Sequence, residues 1–109
     1  MSRKRDGMKI IEKLSDMISE ELEDAKKYAM CALKHEVTYP HLADTFHRLS
    51  EEEMKHVSML HAEVTAIIEA YRKSNGEPPE AMLAVYNYLH DRQIDKASEV
   101  KAIQAMYKQ

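Results

Sequence analysis

Residues 42–71, LADTFHRLSEEEMKHVSMLHAEVTAIIEAY, form the most informative segment for the fold of this chain. Its apolar residues recur at steps of three and four, the spacing of one face of an α-helix. This face comprises Leu42, Phe46, Leu49, Glu53, His56, Leu60, Val64, Ile67 and Tyr71. The pattern predicts that the face is buried against another helix. Burying a carboxylate and an imidazole there without partners would cost several kcal/mol. A metal ion is one of the few partners that satisfies both Glu53 and His56.

The rest of the chain predicts a single all-α domain. Its 109 residues include only 2 glycines, 3 prolines and no tryptophan, a composition typical of long amphipathic helices. We expect a flexible N-terminus at 1–7 and helices at about 8–36, 39–73 and 80–107. Thr38 is a candidate cap for the second helix, and Pro78-Pro79 precede the third. Short connections predict a long antiparallel hairpin plus a third helix.

Charge and cysteine content exclude several classes of function. The formal net charge of -3 offers no extended basic surface for nucleic acid or for an anionic membrane. No apolar run approaches the about 20 residues of a membrane span, and no signal-peptide core follows the first residues. Cys31 is the single cysteine, so no disulfide can form within the chain. These features favour a cytoplasmic protein.

The first predicted helix has a matching polar interruption. Glu21 lies on its apolar face between Ile18 and Ala25. If the hairpin turns near Thr38, Glu21 and His56 each lie about 26 Å from the turn, at ~1.5 Å per residue. Glu53 lies one helical turn closer to it. We therefore expect the three polar side chains to meet at one level between the two helices.

A Glu-x-x-His pair is an element of di-iron and di-manganese carboxylate bundles, whose sites use four carboxylates and two histidines. One hairpin supplies two carboxylates and one histidine, so a two-fold dimer would supply the full set. The predicted metal ligands, which are also the catalytic residues, are Glu21, Glu53 and His56. We expect two iron ions per dimer, and oxygen and nitrogen ligands also allow manganese or zinc. The third helix remains an alternative source of ligands within one chain, through Asp95 or Glu99.

Two segments carry a family resemblance, residues 20–28 (EELEDAKKY) and 51–60 (EEEMKHVSML). They resemble the ferritin-like superfamily, most closely the short encapsulated-ferritin type and next the rubrerythrin-like proteins. The resemblance implies a ferritin-like bundle completed by dimerisation, with a ferroxidase centre across the dimer interface and larger rings built from such dimers. It implies Glu21, Glu53 and His56 as ligands and Tyr28 as an aromatic beside the metals.

Further acidic residues are candidates for guiding iron inward. Glu20 and Glu23 match the acidic entry positions of encapsulated ferritins, and Glu52 belongs to the same acidic surface. The segment 105–109 (AMYKQ) lacks the flexible, glycine-containing tail that docks cargo to an encapsulin shell. We therefore do not expect this chain to be encapsulin cargo.

The function expected from these features is that of a ferroxidase-like oxidoreductase, which oxidises Fe²⁺ with dioxygen or peroxide. A first alternative is a non-catalytic helical oligomerisation or interaction protein, whose buried polar layer sets the register of the helices. A second is a structural zinc or calcium site without redox activity. Asp44 and His47 repeat the carboxylate–histidine spacing but are expected to be solvated, and His61 is expected at the surface or at an interface. His35, His41 and His90 are assigned no role.

Overall fold

A computed structural model describes the chain at residues 3–77 and 80–108. Across these ranges it has three helices and no strand: α1 (Arg3–His35), α2 (Pro40–Asn75) and α3 (Glu80–Met106). The bundle is 56 Å long and 18 Å across in both other directions. The predicted all-α fold is confirmed. No helix within the described residues is long and apolar enough to cross a membrane. Pro78-Pro79, which were expected to precede α3, lie outside the described residues.

The helix ends differ from the sequence pattern at two places. α1 begins at Arg3, so Gly7 lies inside the helix and not in a flexible N-terminus ahead of it. A Cβ built on Gly7 would lie 3.3 Å from the Cε of Met82, so the missing side chain lets α3 approach closely. Tyr39, not Thr38, occupies the N-cap position of α2, and it makes no side-chain capping bond.

α2 ends at Asn75, and Gly76 follows in the C-cap position. Gly76 has a φ of 81°, a conformation that L-residues with side chains rarely adopt. Its backbone N–H donates to the carbonyl of Arg72 at 3.0 Å, which satisfies one of the free carbonyls at the helix end. The chain is thereby turned back, and α3 runs antiparallel to α2.

Small side chains form the centre of the interface between α1 and α2. Ala25, Ala29 and Ala32 are buried on α1, and they are matched by Ala43 and Ser50 on α2. The Ser50 hydroxyl donates to the carbonyl oxygen of Ala25 at 2.7 Å across the interface. Two helices can approach most closely where their side chains are smallest, and here a side-chain hydroxyl bonds directly to the facing backbone.

This close approach corrects the predicted buried face of α2. Leu42 and Leu49 were expected at its centre but are 42% and 37% exposed, whereas their neighbours Ala43 and Ser50 are fully buried. In this part of α2 the buried positions are therefore shifted by one residue from the most hydrophobic positions. Bulky leucines are displaced to the edge because only alanine and serine fit where the backbones are closest. Toward the other end the core is conventional, with the buried cluster Ile11, Ile18, Leu22, Val64, Ile68 and Met82.

α3 lies along α1 in the same direction, held by polar contacts at several levels. Lys96 forms an ion pair with Glu23 at 2.5 Å, and Glu99 forms one with Lys26 at 2.6 Å. The amide of Gln93, which is buried, donates to the carbonyl of Ser15 on α1 at 3.4 Å. The buried residues of α3 are Met82, Gln93 and Val100, whose spacings of eleven and seven place them on one side of the helix.

The C-terminal end of α3 is fastened to α2 by Asp44 and His47, which the sequence had predicted to be solvated. The Tyr107 hydroxyl donates to the Asp44 carboxylate, and the His47 ring stacks on Tyr107 with centroids 4.6 Å apart. The hydrogen bond to Asp44 raises the pKa of Tyr107 to about 12. These two side chains point along the rim of α2 toward α3, a contact that the hydropathy pattern of α2 alone does not contain.

Candidate metal centre

Two carboxylates and one imidazole converge between α1 and α2. Glu21, Glu53 and His56 each offer one ligand atom, and these atoms all lie within 4.8 Å of one another. The Nδ1 atom of His56 is 3.3 Å from Oε2 of Glu21 and 3.8 Å from Oε1 of Glu53. The structure thus brings together the three residues that were predicted to meet. Within the described part of the chain, no other group of three or more acidic, histidine or cysteine side chains converges in this way.

Helix geometry explains this convergence. Residues three apart on an α-helix lie one turn apart on the same side, so Glu53 and His56 present their side chains together. Glu21 faces them from α1 because the hairpin pairs the two helices at equal distances from the turn. The small residues at the interface set the distance between the helices. Longer polar side chains beside that line can therefore reach one another.

The group lies at the edge of the helix interface and not at its centre. The side chain of Glu53 is 17% exposed, that of Glu21 is 29% exposed and that of His56 is 47% exposed. The sequence had predicted burial of this whole level. A single chain instead leaves the group half open on one side of the hairpin, for the same reason that Leu42 and Leu49 are displaced to the edge.

α3 lies on another side of α1 and contributes nothing to this group. Glu99 is engaged with Lys26 at 2.6 Å, and Asp95 is exposed. Neither belongs to the converging group. The contacts of α3 on α1 are instead made to Ser15 and Glu23, which are rotated around the helix from Glu21. In this structure the two candidate ligands of α3 therefore remain apart from the centre.

The residues predicted around the centre have varied surroundings. Tyr28 lies seven residues beyond Glu21 on the same side of α1. Its ring stacks on the ring of Phe46, with the centroids 6.2 Å apart. Glu20 is exposed. Glu23 is bound by Lys96, whose hydrogen bond and charge lower the pKa of this carboxyl. Glu52 pairs with Lys55 at 3.0 Å on its own helix.

Exposed apolar side chains surround the open group. Met17 lies one turn before Glu21 and is 41% exposed, and Leu49 lies one turn before Glu53. We call this side of the hairpin the open face. Its exposed apolar residues are Ile10, Met17, Leu42 and Leu49. A cluster of exposed large apolar residues around a polar centre is typical of a surface that another protein covers.

A cluster that the sequence analysis missed joins α2 to α3. The rings of His61 and His90 stack with centroids 4.9 Å apart. The Tyr86 hydroxyl lies 3.4 Å from Nε2 of His61. The sequence carries a signal for this cluster only if α3 is placed antiparallel to α2, because His61 is 25 residues from Tyr86 in the chain and no motif links the two.

The stacked histidines predict a loss of stability in mild acid. Burial lowers the pKa of His61 below the ordinary 6.5, and the neighbouring His90 lowers it further. The unfolded chain therefore binds protons more readily as the pH falls below about 6.5. The stabilisation is fully present above that pH and is lost as the pH falls toward the lower pKa of the folded state. The polar side chains that line the same cavities as His61 come from all three helices: Ser15, Ser58, Tyr86, His90, Gln93 and Lys101.

Thermal unfolding followed by circular dichroism between pH 7.5 and 5 checks this prediction. His61→Gln is expected to show a smaller fall in Tm than the parent protein over this range. His41→Gln, which changes an exposed histidine at the start of α2, is the matched control and should follow the parent. Identical pH profiles for the parent and His61→Gln would contradict the prediction.

The donor set of the centre fits iron. Carboxylate oxygens and imidazole nitrogens suit Fe²⁺ and Mn²⁺ and can also bind Zn²⁺. One chain offers two carboxylates and one imidazole, which is half of the set used by ferritin-like dinuclear sites.

Comparison with known proteins agrees with this chemistry. The family model for rubrerythrin matches residues 12–108, which include all three converging side chains and all of α2 and α3. No curated protein and no solved structure matches the chain. Because the matched range covers nearly the whole sequence, the chain belongs to the rubrerythrin family, one of the ferritin-like superfamily.

Proposed function

We propose that the protein is a ferroxidase-like di-iron protein whose centre is completed when two chains pair through their open faces. The observation that carries this proposal is the convergence of Glu21, Glu53 and His56 within 4.8 Å at the exposed edge of the hairpin. Membership of the rubrerythrin family supports iron as the metal.

The stoichiometry of ligands supports the dimer. Ferritin-like dinuclear centres use four carboxylates and two histidines, and two copies of this chain supply that number. A two-fold axis places the same surface of both copies in contact, so each open face would cover the other. Pairing would bury the exposed apolar residues, such as Met17 and Leu49, together with the polar group.

Each residue of the centre has a distinct part in this proposal. Glu21 and Glu53 of both chains carry four negative charges, which offset the four positive charges of two Fe²⁺ ions. His56 contributes a neutral nitrogen ligand, and its Nδ1 atom faces both carboxylates of its own chain. When bound, the iron pair supplies one-electron chemistry, since each Fe²⁺ substrate gives one electron to dioxygen or peroxide.

The surroundings of the centre fit this use. The apolar side chains of the open face would exclude water from the dimer interface, which strengthens electrostatic interactions inside it. We assign Tyr28 a position beside the centre, and exposed Glu20 a part in attracting Fe²⁺ from solution. Glu23 and Glu52 have the same charge but hold lysines in this structure, so their contribution would require those ion pairs to open.

The test is an anaerobic titration of the metal-free protein with Fe²⁺, followed by exposure to air. We expect saturation near about one iron per chain, as a centre shared by two chains requires. Absorbance of the ferric product and oxygen consumption should then rise together. Glu69→Ala serves as a control, because Glu69 is an exposed carboxylate of α2 paired with Arg72 and lies outside the converging group.

Other results would favour the alternatives. Metal binding without oxygen consumption would indicate a structural metal site. A dimer that binds no iron, manganese or zinc would indicate a helical interaction protein. Saturation near about two irons per chain would mean that one chain completes a dinuclear centre by itself, which requires α3 to move.

A further inference from the structure

A second site lies between α2 and α3, independent of the proposed iron chemistry. A groove of about 250 Å³ separates these helices. Its apolar walls are Met54 and Val57 of α2 with Ile94 and Ala97 of α3. None of the three residues of the metal centre lines it. The volume is below the about 300–1,000 Å³ of pockets for drug-sized ligands, so the groove fits a small molecule.

The polar residues of the groove are neutral or cationic. His61, His90 and Lys101 line it together with the uncharged Ser58 and Gln93, and no carboxylate does. Lys101 makes no ion pair with the described residues, whereas Lys26, Lys55, Lys96 and Lys108 each do. An ammonium group without a carboxylate beside it, at the rim of an apolar groove, complements a ligand with an anionic head.

The histidine pair supports the same conclusion. His90 has a buried Nδ1 atom without a hydrogen-bond partner in the described structure. An unpartnered buried nitrogen of this kind is unfavourable, and a ligand oxygen that it could meet after a turn of the ring would satisfy it. His61 also lines the groove, where its Nε2 atom contacts the Tyr86 hydroxyl and its ring stacks on His90.

Two neighbouring histidines also raise the question of a metal. A cation site normally gathers carboxylates or thiolates beside its imidazoles, because these offset the charge of the ion. This groove has a lysine in that position. The rings are also nearly parallel, at 25° to each other, instead of directing their nitrogens to one point. Charge and geometry therefore favour an anion over a metal ion.

We propose that the groove between α2 and α3 binds a small amphipathic carboxylate, a molecule with a short apolar body and one anionic head. The apolar body would lie between Val57 and Ile94, and the head would meet Lys101 or the imidazole of His90. Bound there, the ligand would add a connection between α2 and α3, two helices with few direct contacts along their length.

Sodium octanoate, titrated into the full chain and followed by the backbone amide signals in NMR spectra, tests this proposal. We expect saturable shifts at 57–61 and 90–101. 1-Octanol has the same apolar length without the charge and should bind at least about tenfold more weakly, a difference of about 1.4 kcal/mol. Lys101→Gln should weaken octanoate binding by about tenfold, whereas Lys27→Gln, at an exposed lysine of α1, should not.

A blocking variant gives a second test. Ala97→Trp would fill the groove and abolish octanoate binding, and Ala102→Trp, at an exposed position of α3, is its matched control. Equal binding of octanoate and octanol would overturn the proposal, as would shifts confined to residues around His56. Tight Co²⁺ binding that survives His56→Ala and disappears in His90→Gln would replace it with a metal site. A failure of iron oxidation would leave it unaffected, because the groove shares no residue with the metal centre.

Discussion

The His56→Ala variant is expected to lose tight iron binding by more than about 100-fold while keeping its helix content. Loss of a group that only orients a metal ligand typically costs 10–100-fold, and His56 is proposed as a ligand itself. Its Nδ1 atom is the one atom that faces both carboxylates, at 3.3 Å and 3.8 Å. Without it the centre keeps only oxygen donors. Calorimetric titration with Fe²⁺ under nitrogen measures the affinity, and circular dichroism measures the helix content.

His41→Ala is the control for this prediction, since His41 is exposed at the start of α2. It should bind iron like the parent protein. Unchanged iron affinity in His56→Ala would remove the proposed centre, because no other described group of three converging ligands could replace it.

Glu53→Leu distinguishes metal binding from a purely structural role. If Glu53 only sets the register of the helices, an apolar replacement of similar volume is neutral or stabilising and has no further consequence. If Glu53 is a ligand, the same variant loses iron while its Tm is unchanged or higher. Thermal unfolding without metal, compared with iron titration, separates the two roles in one variant.

The Met17→Glu variant is expected to be monomeric and to lose the iron centre with the dimer. Met17 is 41% exposed on the open face, one helical turn before Glu21. A two-fold interface would contain the substituted carboxylate twice, in an apolar contact where an unpaired charge is strongly unfavourable. We expect dimer dissociation constants to rise by more than about 100-fold, as for other interface hot spots that cost more than about 2.7 kcal/mol.

Met106→Glu is the matched control, because Met106 is also an exposed methionine, 54% exposed, but lies on α3. Sedimentation velocity over a range of protein concentrations gives the oligomeric state, and iron titration of the same samples gives the occupancy. If Met17→Glu stays dimeric, the chains do not pair through the open face. If it is monomeric and still binds iron tightly, the centre does not need the partner chain.

The prediction of the metal centre from sequence depended on two spacings. Glu53 and His56 share one side of α2 because of helix geometry alone, and Glu21 was placed opposite them by its distance from the turn. Both steps use local geometry, so the convergence in the structure follows from the sequence. The position of the group at the edge of the interface did not follow, because hydropathy ranks Leu42 and Leu49 above the smaller Ala43 and Ser50.

The packing of α3 against the other helices could not be predicted from local helix geometry. Its buried residues, Met82, Gln93 and Val100, recur at helical spacing. The side of the hairpin on which α3 packs was not predictable, since the pattern of one helix does not state which neighbour covers it. The stacked pair His61–His90 and the contact of Tyr107 with Asp44 depend on that choice.

Sequence alone predicts three helices, their antiparallel hairpin and the level at which two carboxylates and an imidazole meet. These features depend on periodicity, on the residues that end helices, and on chain length, all of which are local. The central position of small side chains in the α1–α2 interface is seen only in the folded structure. It alone placed the metal group at an open edge and α3 on another side of α1. Those features depend on how closely whole helices can approach, which is set by the packing of many side chains at once.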